Sequence, residues 1–220
     1  MPAAWSARLT DRAFPDGILK RPAAVHLDRR AGRFHFHSVL DLTRLAASLS
    51  DEAETADLPV GEWHPSHCGE MDLVIRSDGS WWHEGSPMAR PKLVRLFSRI
   101  LRRDEDGYVL VTPAEKLTIT VEDVPFLAVD YEREDDGSLV FRTNVGDRVP
   151  MSQEHPMTLR ASAALGGQKA LYLLVRGGLE ARLDRPVYYR LAEEGLDEEA
   201  RMLVIDGGEN ARFTFPVDGA

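Results

Sequence analysis

Met71-Asp72-Leu73-Val74-Ile75-Arg76-Ser77-Asp78-Gly79-Ser80-Trp81-Trp82-His83-Glu84 reads as two strands around a turn. Leu73, Val74 and Ile75 favour extended backbone, and Asp78-Gly79 tolerates the positive φ of a tight turn. Trp81 and Trp82 then resume extension, so a β-hairpin is predicted over 71–76 and 81–84. Side chains alternate between the faces of a strand, which sends one tryptophan into the core and leaves the other needing a cover.

Working outward, Ser86-Pro87 and Arg90-Pro91 are helix-entry signals, because a proline in the first turn lacks only an N–H that had no partner. Leu93, Val94, Leu96, Phe97, Ile100 and Leu101 form an apolar stripe opposite Lys92, Arg95, Arg99, Arg102 and Arg103, which predicts an amphipathic helix at about 89–103. A strand over 108–111 follows. In Thr112-Pro113-Ala114-Glu115 the threonine caps a short turn with Glu115 at the reciprocal position, and an alternating strand occupies 117–121. Asp135-Asp136-Gly137 turns a second hairpin, over 126–132 and 139–143.

The segment 147–156 reads as a long connection with one short extended piece. Further strands are predicted at 170–176, 179–183, 202–205 and 212–216, while 186–194 fits helix and strand alike. Leu73-Val74-Ile75-Arg76 is echoed by Leu173-Leu174-Val175-Arg176, each followed by a glycine turn and a second strand. The echo favours two similar strand-rich lobes over one long sheet. Upstream, Leu42, Leu45, Ala46 and Leu49 describe a short amphipathic helix that leads through an acidic stretch, Pro59 and Gly61. The resulting division is an extension at 1–38, a helix and linker at 39–62, and lobes at 63–125 and 126–220.

With 220 residues the chain can bury a real core, and its formal net charge of −9 supplies no global field for nucleic acid or an anionic membrane surface. No apolar stretch approaches the ~18 residues of a membrane span. The single cysteine, Cys68, rules out an internal disulfide framework. These features predict a cytoplasmic protein with no nucleic-acid or membrane partner. Residues 1–38 run against the overall acidity, with Arg8, Arg12, Lys20, Arg21, Arg29, Arg30 and Arg33 against Asp11, Asp16 and Asp28. The reading is a disordered extension or a mis-called start, ahead of a basic arm or targeting leader.

His64, His67 and Cys68, with Glu70 and Asp72, have metal-ligand chemistry, but adjacent residues rarely face one ion and no second pair follows. A polar loop entering a strand is the preferred reading, and Cys68 reads as a lone buried cysteine before a nucleophile. No nucleophile elbow, phosphate loop or dinucleotide fingerprint occurs. Glu115 and Asp123 read as caps before catalytic carboxylates. Arg95, Arg99 and Arg102 read first as a solvated helix face. Arg90, Lys92, Arg95 and Lys116 are charge-assisted donors suited to an anion, and Trp81 or Trp82 suits its planar portion.

The ordered set Gly69-x2-Asp72, Asp78-Gly79-x-Trp81, Gly85-Ser86-Pro87-x2-Arg90, Leu93-Val94-x2-Phe97, Leu110-Val111-Thr112-Pro113-x-Glu115-Lys116 and Val121-x-Asp123-x-Pro125-Phe126, continued by Arg142-Thr143-Asn144, resembles the bacterial domain-of-unknown-function family 1285. The resemblance covers most of the chain after about Pro59. It implies an α+β, mainly antiparallel β architecture of two related lobes, the second pleckstrin-homology-like, with a ligand cleft between them. It also implies a nucleotide-like ligand and a role in signalling, and it carries no catalytic residues. The expectation is a non-enzymatic binding or regulatory protein for an anionic or nucleotide-like small molecule, using Trp81, Trp82, Arg90, Lys92, Thr112, Lys116 and Asn144. The alternatives are an enzyme acting on a nucleotide-like substrate, metal-assisted near His64 and His67, and a protein-interaction module. Cofactor and oligomeric state stay open.

Overall fold

The computed structural model describes residues 58–208 and 211–217. The extension at 1–38 and the helix expected around 42–49 lie outside the described residues.

The opening hairpin forms as its residues dictate. β1 (His67–Ile75) pairs antiparallel with β2 (Trp81–His83), and Gly79 takes φ +79 in the turn. After β3 (Ser86–Pro87) comes α1 (Pro91–Arg99), with Pro91 in its first turn. The helix ends four residues short of the expected 103. Leu101, Arg102, Arg103 and Asp104 instead form β4 (Leu101–Asp104), which pairs antiparallel with β5 (Gly107–Val111). Ile100 and Leu101 suit a helical stripe and a strand start equally, and the available edge of β5 decides between them. The sheet closes with β6 (Glu115–Val121), parallel to β1.

A second sheet repeats the plan. It comprises β7 (Phe126–Arg133), β8 (Leu139–Thr143), β9 (Arg148–Pro150), β10 (Met157–Ala161), β11 (Lys169–Arg176) and β12 (Leu179–Leu183). The first sheet runs β3-β2-β1-β6-β5-β4 and the second β10-β11-β12-β7-β8-β9. Counted within each lobe, both orders are 3-2-1-6-5-4. In each, two three-stranded meanders are joined by the parallel pairing of first and last strands, β1 with β6 and β7 with β12, while the remaining pairings are antiparallel. The repeat therefore matches β1–β2 to β7–β8, both turned by Asp-Gly, and not to β11–β12 as the Leu173-Leu174-Val175-Arg176 echo suggested. Similar apolar tetrapeptides recur in many buried strands, whereas turn chemistry marks position in the meander. β10 is a strand beyond those predicted, with Met157 buried and Thr158 exposed in strand alternation.

The ambiguous segment is helical, as α2 (Arg185–Gly195). Val187 and Leu191, four residues apart, are both buried, and this packing outweighs the strand preference of Val187, Tyr188 and Tyr189. A small sheet of β13 (Leu196–Asp197), β14 (Met202–Asp206) and β15 (Arg212–Pro216) completes the second lobe. The architecture is α+β, strand-rich and two-lobed. One cluster of buried side chains runs through both lobes, including Leu73, Trp81, Phe97 and Leu110 from the first and Phe126, Phe141 and Leu173 from the second. Burying each such side chain contributes roughly 1.5–3 kcal/mol, so the packing that stabilises the sheets also joins the lobes.

Candidate functional site

The lobes meet through polar contacts as well as the shared core. Asn144, in the β8–β9 turn, accepts from the Leu127 N–H at 3.0 Å and donates to the Gly79 carbonyl at 3.1 Å. The first hairpin turn is thereby clipped to β7. A Cβ on Gly79 would come within 2.8 Å of Asn144 Nδ2, so glycine is required there for space as well as for its positive φ. Arg176 of β11 donates to Asp147 and to the Ser98 carbonyl, both at 2.8 Å, which puts a second-lobe cation on the C-terminal end of α1.

Deeper in the seam, the Arg182 guanidinium donates to the Ser77 carbonyl, and its Nε lies 2.9 Å from Asp123 Oδ2 without its N–H being aimed at that oxygen. Asp123 also accepts from the Tyr172 hydroxyl at 3.1 Å and the Ser162 hydroxyl at 3.4 Å. Asp123 therefore anchors an inter-lobe network instead of a local cap. With side chains only 8% and 10% exposed, Arg182 and Asp123 depend on each other for charge compensation.

The open polar site lies on the first lobe. A pocket of about 520 Å³ is lined by Gly61, His64, Arg102, Arg103, Asp104, Glu105, Asp106 and Lys116. The antiparallel β4–β5 pairing turns tightly through Glu105-Asp106, because Asp104 is opposite Gly107. Strand alternation puts Arg102 and Asp104 on one face, with Lys116 on the same face two strands away. Arg102 donates to the Val60 and Trp63 carbonyls, each at 2.8 Å, and to Asp104 at 2.7 Å. It staples the entering segment to β4, which replaces the solvated-helix reading of this residue. Lys116 Nζ reaches Asp104 at 3.1 Å. The Arg102 hydrogen bond first, and that of Lys116 second, hold the Asp104 carboxyl below its ordinary range against the opposing effect of burial.

Arg103 points to the other face. Its guanidinium donates to the Tyr108 hydroxyl and sits 4.9 Å over that ring. Its stem lies against Gly178 in the β11–β12 turn, where an added Cβ would be 3.7 Å from Arg103 Cδ. Burial pushes the Tyr108 phenol up, with the Arg103 charge opposing. Arg103 thus belongs both to the pocket lining and to the boundary with the second lobe.

The seven residues expected at a ligand site are spread over several places. Trp81 is a core residue, 3% exposed, and its indole N–H has no acceptor among the described residues. Trp82 is the outward ring, and its cover is the Arg76 guanidinium 3.5 Å above it, with its Nε1–H donated to Ser80 at 2.9 Å. Arg90 and Lys92 are exposed at the start of α1. Thr112 is fully buried, and its hydroxyl accepts from the Ala114 and Glu115 N–H groups in the turn it closes. Asn144 forms the clip between lobes. Only Lys116 lines the pocket. Arg102, Asp104, Glu105 and Asp106 complete its wall, which a helix ending at 103 would scatter and the β4–β5 turn gathers.

Cys68 is exposed rather than buried, at the register position opposite Lys116 on β1. Its neighbours Glu70 and Thr118 continue the outward face of the sheet. Among the described residues no three His, Cys, Asp or Glu side chains converge in a metal-holding group. No described helix is long and apolar enough to cross a membrane.

Comparison with known proteins places this arrangement. The model for "Domain of unknown function (DUF1285), N-terminal domain" matches residues 58–124, and that for "Protein of unknown function (DUF1285), C-terminal domain" matches 125–214. No curated protein matches. The crystal structure of a DUF1285 family protein from Silicibacter pomeroyi DSS-3 is similar at 37% identity and a TM-score of 0.70, over 80% of this chain and 94% of that one. A DUF1285 family protein from Shewanella baltica OS155 is 31% identical over 56% of this chain and 92% of its own, with a TM-score of 0.48. With both family models spanning the two lobes, and a solved member aligned along most of the chain, this protein belongs to the DUF1285 family.

Proposed function

We propose that the protein is a non-enzymatic small-molecule-binding or regulatory protein, acting in cytoplasmic signalling, and that its anionic or nucleotide-like ligand occupies the pocket beside the β4–β5 turn. The carrying observation is Lys116. Its ammonium has three donors and one described acceptor, Asp104, within a cavity of about 520 Å³. That volume lies in the range of small-molecule sites, roughly 300–1,000 Å³. Arg103 lines the pocket while its guanidinium turns to Tyr108 and its stem lies against the β11–β12 turn, so this reading puts the ligand at the first lobe's side of the boundary between lobes. At the packed seam Asn144, Arg182 and Asp123 each have partners from the chain itself, and the buried pair is only 8% and 10% exposed, which favours the pocket over the seam.

Thermal-shift titration with a panel of nucleotides and smaller anions tests the reading. Binding stabilises the folded state by about 2.7 kcal/mol at a hundred times Kd, and Lys116→Ala is expected to reduce the shift at fixed ligand concentration. A flat response across the panel, with the variant indistinguishable from the parent, overturns it. The interaction-module alternative has Tyr189, 60% exposed, and Leu196, 43% exposed, in its favour. Among the described residues these two fall short of the several hundred Å² of contiguous apolar surface that marks such a face.

A further inference from the structure

We infer that β10 is a self-pairing edge, through which two copies of this chain join antiparallel across Leu159 and extend the second sheet. The backbone pairing fixes which groups are open. Leu174 donates to the Pro156 carbonyl at one end of the β10–β11 pair, and Ser162 donates to the Gln168 carbonyl at the other. Bonded positions alternate along an antiparallel pair, so Thr158 and Arg160 bond β11 while Met157, Leu159 and Ala161 turn their N–H and C=O groups outward. β10 ends its sheet, and among the described residues no second strand pairs with it.

The other sheet ends are blunted. By the same alternation β3 turns Pro87 outward and β9 turns Arg148 and Pro150 outward, and a proline has no N–H to offer. In β15 the outward positions are Arg212, Thr214 and Pro216, and β13 is only two residues long. β4 carries Arg102, Arg103 and Asp104 in its four residues, and charge along an edge discourages pairing. β10 has neither device. No proline interrupts Met157–Ala161, and its one charge, Arg160, lies over Tyr172 with Glu180 at 2.8 and 2.9 Å. The segment is also self-complementary. Pairing about Leu159 sets that residue against its own copy and Met157 against Ala161, so apolar side chains meet on one face. On the other face Arg160 stands opposite the Thr158 hydroxyl, and no like charges are directly opposed. Leu159 is half-buried and Ala161 exposed, so both have surface to lose. One pair of short strands buries less than the roughly 1,200 Å² of a stable complex, so this isologous dimer is one that dissociates on dilution.

Sedimentation of the full chain over a dilution series tests the association, and cross-linking tests the register. The expected result is a monomer–dimer equilibrium that Ala161→Pro weakens at least about tenfold, since the exposed proline removes an outward N–H from each copy. A cooperative unfolding transition shows that the variant is folded. Because Cys68 is exposed, the cross-linking variants also carry Cys68→Ser. Leu159→Cys should then form a dimer on mild oxidation, because directly opposite bonded residues have Cα atoms about 5.5 Å apart, within disulfide range. Thr158→Cys should not, since its two copies are offset by two residues and lie more than about 7 Å apart. A dimer indifferent to Ala161→Pro, or equal cross-linking from both cysteines, overturns the inference. A monomer at every concentration overturns it too. Slow hydrogen exchange at the Leu159 and Ala161 amides would then assign the edge to another strand of the same chain, and fast exchange to a strand from a different protein.

Discussion

The two lobes share one strand order and differ in where the helix enters. In the first, α1 lies in the connection between the third and fourth strands; in the second, that connection is the loop 151–156 and α2 follows the sixth strand. The parallel joining of first and last strands needs only two meanders, so the scaffold accepts a helix at either position. Electrostatics follows the helix. In the second lobe, α2 packs on β7 and is laced to its surface: Arg190 and Arg142 both reach Asp130, while Tyr131 and Arg133 share Glu194. In the first lobe, the far edge of the sheet carries no helix among the described residues, and the cations Arg102 of β4 and Lys116 of β6 turn instead to the entering segment and an open pocket. A repeated fold thus acquires a polar site in the lobe whose helix is placed away from that edge.

The largest effect should come from the core that unites the lobes. Phe97→Ala in α1 is expected to destabilise by about 3–5 kcal/mol, and Leu191→Ala in α2 by about 2–5 kcal/mol, since both side chains are buried. Denaturant unfolding followed separately by tryptophan fluorescence and far-UV circular dichroism should show one transition in each variant. Two transitions, one per lobe, would break the picture of a shared core.

Next comes the seam. Arg182→Met should cost about 3 kcal/mol by leaving Asp123 buried without its cation, and adding Asp123→Asn should recover part of that loss. Additive single-variant effects in the double-mutant cycle would show that the two charges do not depend on each other.

The matched hairpin turns give a sharper contrast. Gly79 and Gly137 have φ of +79 and +83, so alanine strains both by about 1–2 kcal/mol. Only at Gly79 does the new Cβ also meet Asn144 and Leu127, at 2.8 and 3.0 Å, whereas at Gly137 the nearest atom is 3.8 Å away. Gly79→Ala should therefore cost about 1 kcal/mol more than Gly137→Ala by denaturant midpoint. Equal costs would mean that the Asn144 clip yields freely.

The smallest effects are those of pH. Asp104 in the first lobe and Glu194 in the second have carboxyls held below their ordinary values, Asp104 by Arg102 and then Lys116, Glu194 by Tyr131 and then Arg133. Each contributes stability that is present above its unfolded pKa and lost as pH falls through its folded one. At the alkaline end, burial first and Glu194 second push the Tyr131 phenol up to about 12. Its contribution is complete below the unfolded value of about 10 and disappears as pH rises toward the folded one. Ultraviolet titration should show a phenolate appearing near pH 12 that Tyr131→Phe removes. Ionisation of that group near 10 would mean that its contact with α2 is not maintained.

Much of the fold is legible because local chemistry and tertiary structure agree at the hairpins: Asp78-Gly79 and Asp136-Gly137 turn where only glycine accepts the backbone at no steric cost. The site is less legible. Lys116 is recognisable as a cation at the start of a strand following a capped turn, but Arg102 falls within the expected helix, and its partners Val60 and Trp63 stand about forty residues away. Trp82 looked like a stacking platform because its cover, Arg76, becomes a neighbour only when the hairpin closes.

The amino-acid order by itself determined the hairpins, the start of α1 at proline, the family and the alternation of the strands, since each rests on backbone preference or near-neighbour pattern. Tertiary structure alone decided that residues 101–104 are strand, that Asn144 and Asp123 join the two lobes, and that Lys116 shares a pocket with the β4–β5 turn. Those outcomes depend on which edge is free to pair and which distant charge comes within reach, and neither is a property of any local stretch of chain.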